Sequence, residues 1–249
     1  MIKKKRLIVL KFGTTCVCNV DTLQIREDWM QSVAKDVKEL IEAGNRVIIF
    51  SSGGLATGKK RGASYIKDEV LLQNKNILGA LGLSELLFRW QKNFNTVGLP
   101  TATLTIREED IESTSICNLI TKLVDNGITP IINENIPLQT SFNNDELAAM
   151  ICQRSNASQF ILFTDTDGIF TDNPKTNPDA KHLKEININE TNIILDDKNS
   201  GLGSGGMKSK LKSAIKVKKT GIETIIANGT DIHPIQNLKI IGKFTTLKE

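Results

Sequence analysis

Short runs of apolar, mostly branched residues recur from one end of the chain to the other, each followed by a longer amphipathic stretch. This alternation constrains the fold more than any other feature. The runs Arg6 to Phe12, Arg46 to Phe50, Leu99 to Thr105, Ile128 to Ile132, Gln159 to Thr164 and Glu223 to Ala227 have the length and branching of β-strands. The stretches between them predict helices over Thr22 to Ala43, Asp68 to Asn93, Glu108 to Asn126, Asp145 to Arg154 and Gly206 to Thr220, with stops at Gly44, Asn126-Gly127 and Gly221. Such alternation implies an α/β protein with a mostly parallel sheet covered by helices on both faces, and sheets of that kind bind ligands at the carboxyl ends of their strands.

Within 249 residues there is no repeat, no low-complexity tract and no sharp change of composition, so a single domain spanning 1–249 is expected. The irregular stretch Thr166 to Ser204, rich in Asp, Asn, Pro and Lys, predicts a long loop or subdomain over a site. At 39% hydrophobic and 24% charged, the composition excludes disordered, collagen-like and disulfide-scaffold classes. Aromatic residues make up only 5%, too few for the stacking platforms of a single-strand nucleic-acid binder. The net charge of +4 comes from scattered lysines, which read as solvated surface with at most a preference for anionic substrates. Cys16, Cys18, Cys117 and Cys152 form no CxxC or Cys/His cluster, so free thiols in a reducing compartment and no metal centre are expected. Lys11 interrupts the first apolar run before it reaches signal-peptide length, and no run approaches a membrane span. The expectation is a cytoplasmic protein without nucleic-acid or membrane partners.

The informative residues lie where strands end. Lys11-Phe12-Gly13-Thr14-Thr15 sets an ammonium before a glycine and two hydroxyls, which suits a phosphate and equally describes a surface turn. Ser51 to Lys60 is a near miss to a P-loop, with Lys60 where a magnesium-binding hydroxyl belongs, and reads as a second glycine-rich loop. Ser200-Gly201-Leu202-Gly203-Ser204-Gly205-Gly206-Met207 opens a helix carrying Lys210, a cradle for a polyphosphate or a flexible linker. Asn133-Glu134-Asn135, Asn143-Asn144-Asp145 and Thr164-Asp165-Thr166-Asp167-Gly168 complete the set; each alone also fits helix capping. His182 and His233, the only histidines, lie in loop-like stretches and give no support to a Ser-His-Asp or HExxH site. Lysines and glycines without histidines fit phosphoryl transfer to a carboxylate, which is already ionised near neutral pH and needs positioning and charge neutralisation more than a base.

Taken in order, these clusters resemble the amino acid kinase family over essentially the whole chain, and within it the branch that phosphorylates glutamate. The carriers are Leu10 to Thr15, Ser51 to Gly58, Pro130 to Asn135, Asn144-Asp145, Thr164 to Thr171, and Ser200 to Met207 with Lys210. The resemblance implies a three-layer αβα sandwich with a mostly parallel central sheet, an acceptor-binding half over roughly 1–155 and a nucleotide-binding half over roughly 156–249. It implies ATP and Mg²⁺ as cofactors, with the ion carried on the phosphates. Lys11 and Lys210 would flank the transferring phosphoryl group and Asp145 would orient them. Gly13, Thr14, Thr164, Asp165, Ser204, Gly205, Gly206 and Met207 would complete the nucleotide site, and Ser52, Gly53 and Asn144 would contact the acceptor. A homo-oligomer, dimer or tetramer, is also implied.

Two departures bear on the acceptor. The family's usual N-E-N-D and G-D-N-D runs read Asn133-Glu134-Asn135-Ile136 and Phe142-Asn143-Asn144-Asp145 here. Ile136 replaces an aspartate that the family uses on the amino acid, and Asn143 replaces a neighbouring acid. Many bacterial members continue into a further RNA-binding-like domain, whereas this sequence stops at Glu249, which reads as the kinase part alone. The expectations are therefore glutamate side-chain phosphorylation at the entry to proline synthesis, or the same chemistry on another acid or phosphate acceptor, or a non-catalytic nucleotide-binding relative. Retention of Lys11, Asp145 and Lys210 argues against the last.

Overall fold

The computed structural model of the protein describes residues 6–138, 143–189 and 206–249. The strands are β1 (Leu7–Phe12), β2 (Arg46–Ser51), β3 (Thr101–Ile106), β4 (Thr129–Glu134), β5 (Gln159–Thr164), β6 (Ile169–Phe170), β7 (His182–Leu183), β8 (Glu185–Asn187), β9 (Glu223–Asn228) and β10 (Phe244–Lys248). The helices are α1 (Thr14–Val17), α2 (Glu27–Glu42), α3 (Gly54–Gly62), α4 (Lys75–Thr96), α5 (Glu108–Glu112), α6 (Thr114–Asp125), α7 (Asn144–Arg154), α8 (Met207–Lys218) and α9 (Pro234–Ile241). Eight strands form one sheet in the order β3-β4-β2-β1-β5-β9-β10-β8. All pairings in it are parallel except β9 with β10. From β1 the chain first builds towards β2, β4 and β3 and then crosses to β5 and β9, so the carboxyl end of β1 lies where the winding reverses.

Successive residues of a strand point to opposite faces, and here the alternation divides the core cleanly in two. Leu7, Val9, Ile48, Phe50, Ile132, Phe160, Leu162 and Ile226 pack under α6, α7 and α8. Ile8, Leu10, Phe12, Val47, Ile49, Ile131, Ile161, Phe163 and Ile225 pack under α2, α4 and α9. These are the three layers expected from the alternation.

The differences from expectation have local causes. The predicted Thr22 to Ala43 helix begins only at Glu27. Asn74 caps α4 by accepting from Asn76 and Ile77 N–H, so the predicted Asp68 to Asn93 helix starts at Lys75. Ser113 accepts from Ser115 N–H and divides the predicted Glu108 to Asn126 helix into α5 and α6. The glycine-rich Ser51 to Lys60 segment is not a loop, for α3 begins at Gly54. A Cβ on Gly58 would lie 1.8 Å from Leu78 O, and one on Gly82 would lie 2.0 Å from Gly54 O, so these glycines bring the backbones of α3 and α4 together. Thr166 to Ser204, expected to be irregular, contains the β6–β7 hairpin and β8. His182 lies in β7, and His233 precedes α9 with its Nδ1 2.6 Å from Asp36 Oδ1, so neither histidine is a loop residue without structure around it.

Candidate active site

Parity places the first cation. Lys11 shares its strand face with Leu7 and Val9, so its side chain meets α7 and α8, while its neighbour Phe12 enters the opposite core. Asp145, in the first turn of α7, answers it: Lys11 Nζ lies 2.5 Å from Asp145 Oδ1, and Lys210 Nζ of α8 lies 3.4 Å from Oδ2. All three residues are at most 8% exposed. Burial alone would raise the Asp145 carboxyl, but the two ammonium groups hold it below its ordinary value. Burial, reinforced by Lys210 and only partly offset by Asp145, lowers Lys11. One carboxylate thus holds two cations, one from β1 and one from α8.

The helix that carries Asp145 is fixed by its asparagines. Asn143 caps α7, its Oδ1 accepting from Asp145 N–H (2.9 Å) and Glu146 N–H (3.2 Å), while its Nδ2 reaches Ser209 Oγ on α8 at 3.4 Å. Asn144 accepts from Glu134 N–H at 2.9 Å and donates to Asn133 Oδ1 at 3.1 Å. Asn133 in turn donates to Ser51 O at the end of β2. The substitution Asn143, read in the sequence as a lost acid, therefore supplies a helix cap.

Gly13 follows β1 and precedes α1, but its N–H is donated to Phe163 O at 3.1 Å and is not open to a phosphate. Its lack of a side chain instead lets β5 approach, since a Cβ would lie 3.3 Å from that carbonyl. Thr14 begins α1 directly above. Ser52, at the end of β2, donates its N–H to Phe12 O; Gly53 follows at φ +112°, a left-handed conformation that caps α3. Ile136 is buried and fills the notch between two helix glycines, Gly54 of α3 and Gly79 of α4. On the other side, Thr164 Oγ1 donates to Asp165 Oδ1, and Asp165 pairs with Lys175. Burial would raise Asp165, yet the Lys175 ammonium holds it below the usual carboxylate range. Gly206 and Met207 open α8; Gly206 brings no side-chain cap, and the first turn carries no acid among the described residues. Ser204 and Gly205 lie outside the described residues.

Beneath these strand ends, on the face away from Lys11, lies an aromatic cluster that sequence reading missed. Phe12 stacks on Phe163 at 4.9 Å and meets Trp29 edge-on at 5.2 Å, with Trp90 and Phe94 continuing the contact. Trp29 Nε1 donates to Gly229 O and Trp90 Nε1 to Ser51 Oγ, both at 2.7 Å. Each indole thus holds a strand end in place. Among the described residues no helix is long and apolar enough to cross a membrane.

A mostly parallel sheet with one cation from a strand and one from a helix meeting at a shared carboxylate defines a class, and comparison with known proteins agrees. Residues 6–228 match the model of the amino acid kinase family, and the chain belongs to it. Similar curated proteins carry the name glutamate 5-kinase. That of Shewanella woodyi is 34% identical over 90% of this chain and 62% of its own length, and that of Pelagibacter ubique is 32% identical over 98% and 68%. A probable glutamate 5-kinase of Schizosaccharomyces pombe is 33% identical over 91% and 58%. The chain thus spans about three fifths to two thirds of these relatives. Among solved structures, an isopentenyl phosphate kinase superposes with TM-score 0.69 at 20% identity, covering 97% of this chain and 100% of its own. A carbamate kinase from Giardia lamblia bound to AMP-PNP gives 0.69 at 14% identity, with 98% and 99% covered. These two share the fold.

Proposed function

We propose that the protein is an ATP-dependent kinase that phosphorylates the side-chain carboxylate of glutamate, giving γ-glutamyl phosphate. The observation that carries this reading is the pair of buried ammonium groups, Lys11 and Lys210, held by one carboxylate at the strand ends. Histidine plays no part in this arrangement. A carboxylate oxygen of the acceptor attacks the γ-phosphorus of ATP while the bond to the ADP oxygen breaks. Negative charge gathers on the transferring group and the leaving oxygen, and preorganised cations in a buried site stabilise it without reorganising. Asp145 holds both lysines in place; Lys11 comes from the proposed acceptor half, 1–155, and Lys210 from the nucleotide half, 156–249.

The start of α8, with a glycine N-cap at Gly206 and no acid in its first turn among the described residues, supports binding of the nucleotide phosphates, with Mg²⁺ entering as part of the MgATP substrate. In this reading Thr164 and Asp165 at the end of β5 and Thr14 after β1 complete the nucleotide site, and Ser52, Gly53 and Asn144 contact the acceptor. The names of the relatives favour glutamate. The test is to incubate the protein with MgATP and a panel of amino and carboxylic acids and to trap acyl phosphate as hydroxamate. Product from glutamate supports the reading; product only from another acceptor, or none with tight ATP binding, overturns it.

A further inference from the structure

Five charged side chains are buried among the described residues: Lys11, Asp36, Glu134, Asp145 and Lys210. Four belong to the arrangements already described, Asp36 with His233 and Asp145 with the two lysines. Glu134 differs. It is 6% exposed, yet no hydrogen bond or ion pair reaches its carboxylate among the described residues, and its Oε2 is fully enclosed. A buried carboxylate without a partner is costly, so its persistence calls for a ligand that completes it.

Its surroundings say which kind. Glu134 ends β4 on the strand face of Ile132, the face that Lys11 shares, one residue beyond Asn133. The charged groups acting on it are Lys11 of β1, Asp145 and Glu146 of α7, and Lys75 at the start of α4. Lys11 is committed to Asp145, and Lys75 is exposed. A cation is therefore the missing partner, next to the phosphoryl-transfer lysines but not among them. Ile136, two residues on, is packed into the Gly54 and Gly79 notch and offers no charge.

The geometry points to Glu134 as the specificity residue that receives the α-ammonium group of the amino acid acceptor. This rests on the carboxylate-kinase reading above and identifies the chemistry it requires of the acceptor: an acid bearing a primary ammonium group on the carbon chain beyond the reacting carboxylate. No bond is made or broken at Glu134.

The test compares glutamate with glutarate, which keeps both carboxylates and lacks the ammonium group, in the hydroxamate assay with MgATP. The wild-type protein should prefer glutamate in kcat/KM by roughly tenfold to a hundredfold, the scale of one charge-assisted contact. Glu134→Gln should collapse that preference to within about threefold by lowering glutamate alone, and Glu134→Asp should keep part of it. Unchanged ATP affinity and an unchanged circular-dichroism spectrum show that the variants are folded. The wild-type preference should also fall as pH drops through about 7, where Glu134 takes up a proton. This last readout needs no variant.

A preference that survives Glu134→Gln in folded protein overturns the assignment. So does a wild-type protein that uses glutamate and glutarate equally, although acyl-phosphate formation itself would then stand. No hydroxamate from either acid overturns the kinase reading and this assignment with it.

Discussion

The two faces of the strand ends are built from adjacent residues and treat polarity in opposite ways. Below Phe12, Trp29, Trp90 and Phe163 stack closely and both indole N–H groups are satisfied by strand-end oxygens. Above Lys11, one carboxylate serves two cations and another has no partner. The satisfied face contributes stability and holds the strand ends still. In the proposed function the other gives up stability to keep charges ready for ligands, a division that natural proteins often show at functional sites.

The sharpest way to break this contrast is Asp145→Asn, which removes the counter-charge shared by Lys11 and Lys210. Loss of one member of a buried ion pair costs about 3 to 5 kcal/mol. Thermal unfolding should show a fall of roughly 10 °C, since about 1 kcal/mol corresponds to 2 to 4 °C at this size, and hydroxamate formation should be lost as well. A melting temperature within 2 °C of wild type would show that the pair contributes nothing to the fold. Lys210→Ala should lower kcat by about a hundredfold to a thousandfold, the effect of removing one preorganised charge stabiliser, while the circular-dichroism spectrum stays as it was. Retained turnover would remove Lys210 from the machinery.

Glu134→Gln sharpens the contrast in stability. Burial, with Asp145 adding to it and Lys11 opposing, pushes the Glu134 carboxyl from 4.5 to about 7. Between those values the folded protein holds a proton that the unfolded chain has released, so stability falls as pH rises through this window. The full penalty is present above pH 7 and absent below about 4.5, on the order of 3 kcal/mol at one pKa unit per 1.4 kcal/mol. The glutamine variant should therefore melt higher than wild type at pH 8, with the gap closing at pH 4.5. A gap independent of pH would show that Glu134 is not the titrating group. On the aromatic face, Trp90→Phe should cost about 1 to 2 kcal/mol by removing the indole N–H from Ser51, with kcat changed less than threefold. A large loss of kcat with little loss of stability would join the two faces functionally.

Much of this was legible in the sequence where one residue type at one spacing decides the outcome. The strand alternation sets the layers, and the family resemblance at two strand ends and a helix start marks Lys11, Asp145 and Lys210. What stayed hidden depends on contacts between distant segments. Glycines of Ser51 to Lys60 look the same whether they cradle a phosphate or admit a neighbouring helix, and only the position of α4 decides. Helix α9 carried a local signal, Pro234 at its first position, but its cap is Asp36, which accepts from Ile235 and Gln236 N–H nearly two hundred residues away in sequence. The isolation of Glu134 has no sequence signature, because it is the lack of a neighbour.

Because Lys11 and Phe12 are consecutive, the boundary between the charged and the aromatic face is one residue wide along β1. That makes the strand intolerant of a change in length. Deletion of a single residue between Leu7 and Leu10 leaves two choices: the residues before the lesion turn their side chains to the wrong cores, or they keep their places and the ammonium and the phenyl ring exchange faces. Substitutions in this strand can be graded by size and polarity, but insertions and deletions have no mild form. In a lineage of such proteins, drift in β1 would therefore proceed by replacement alone.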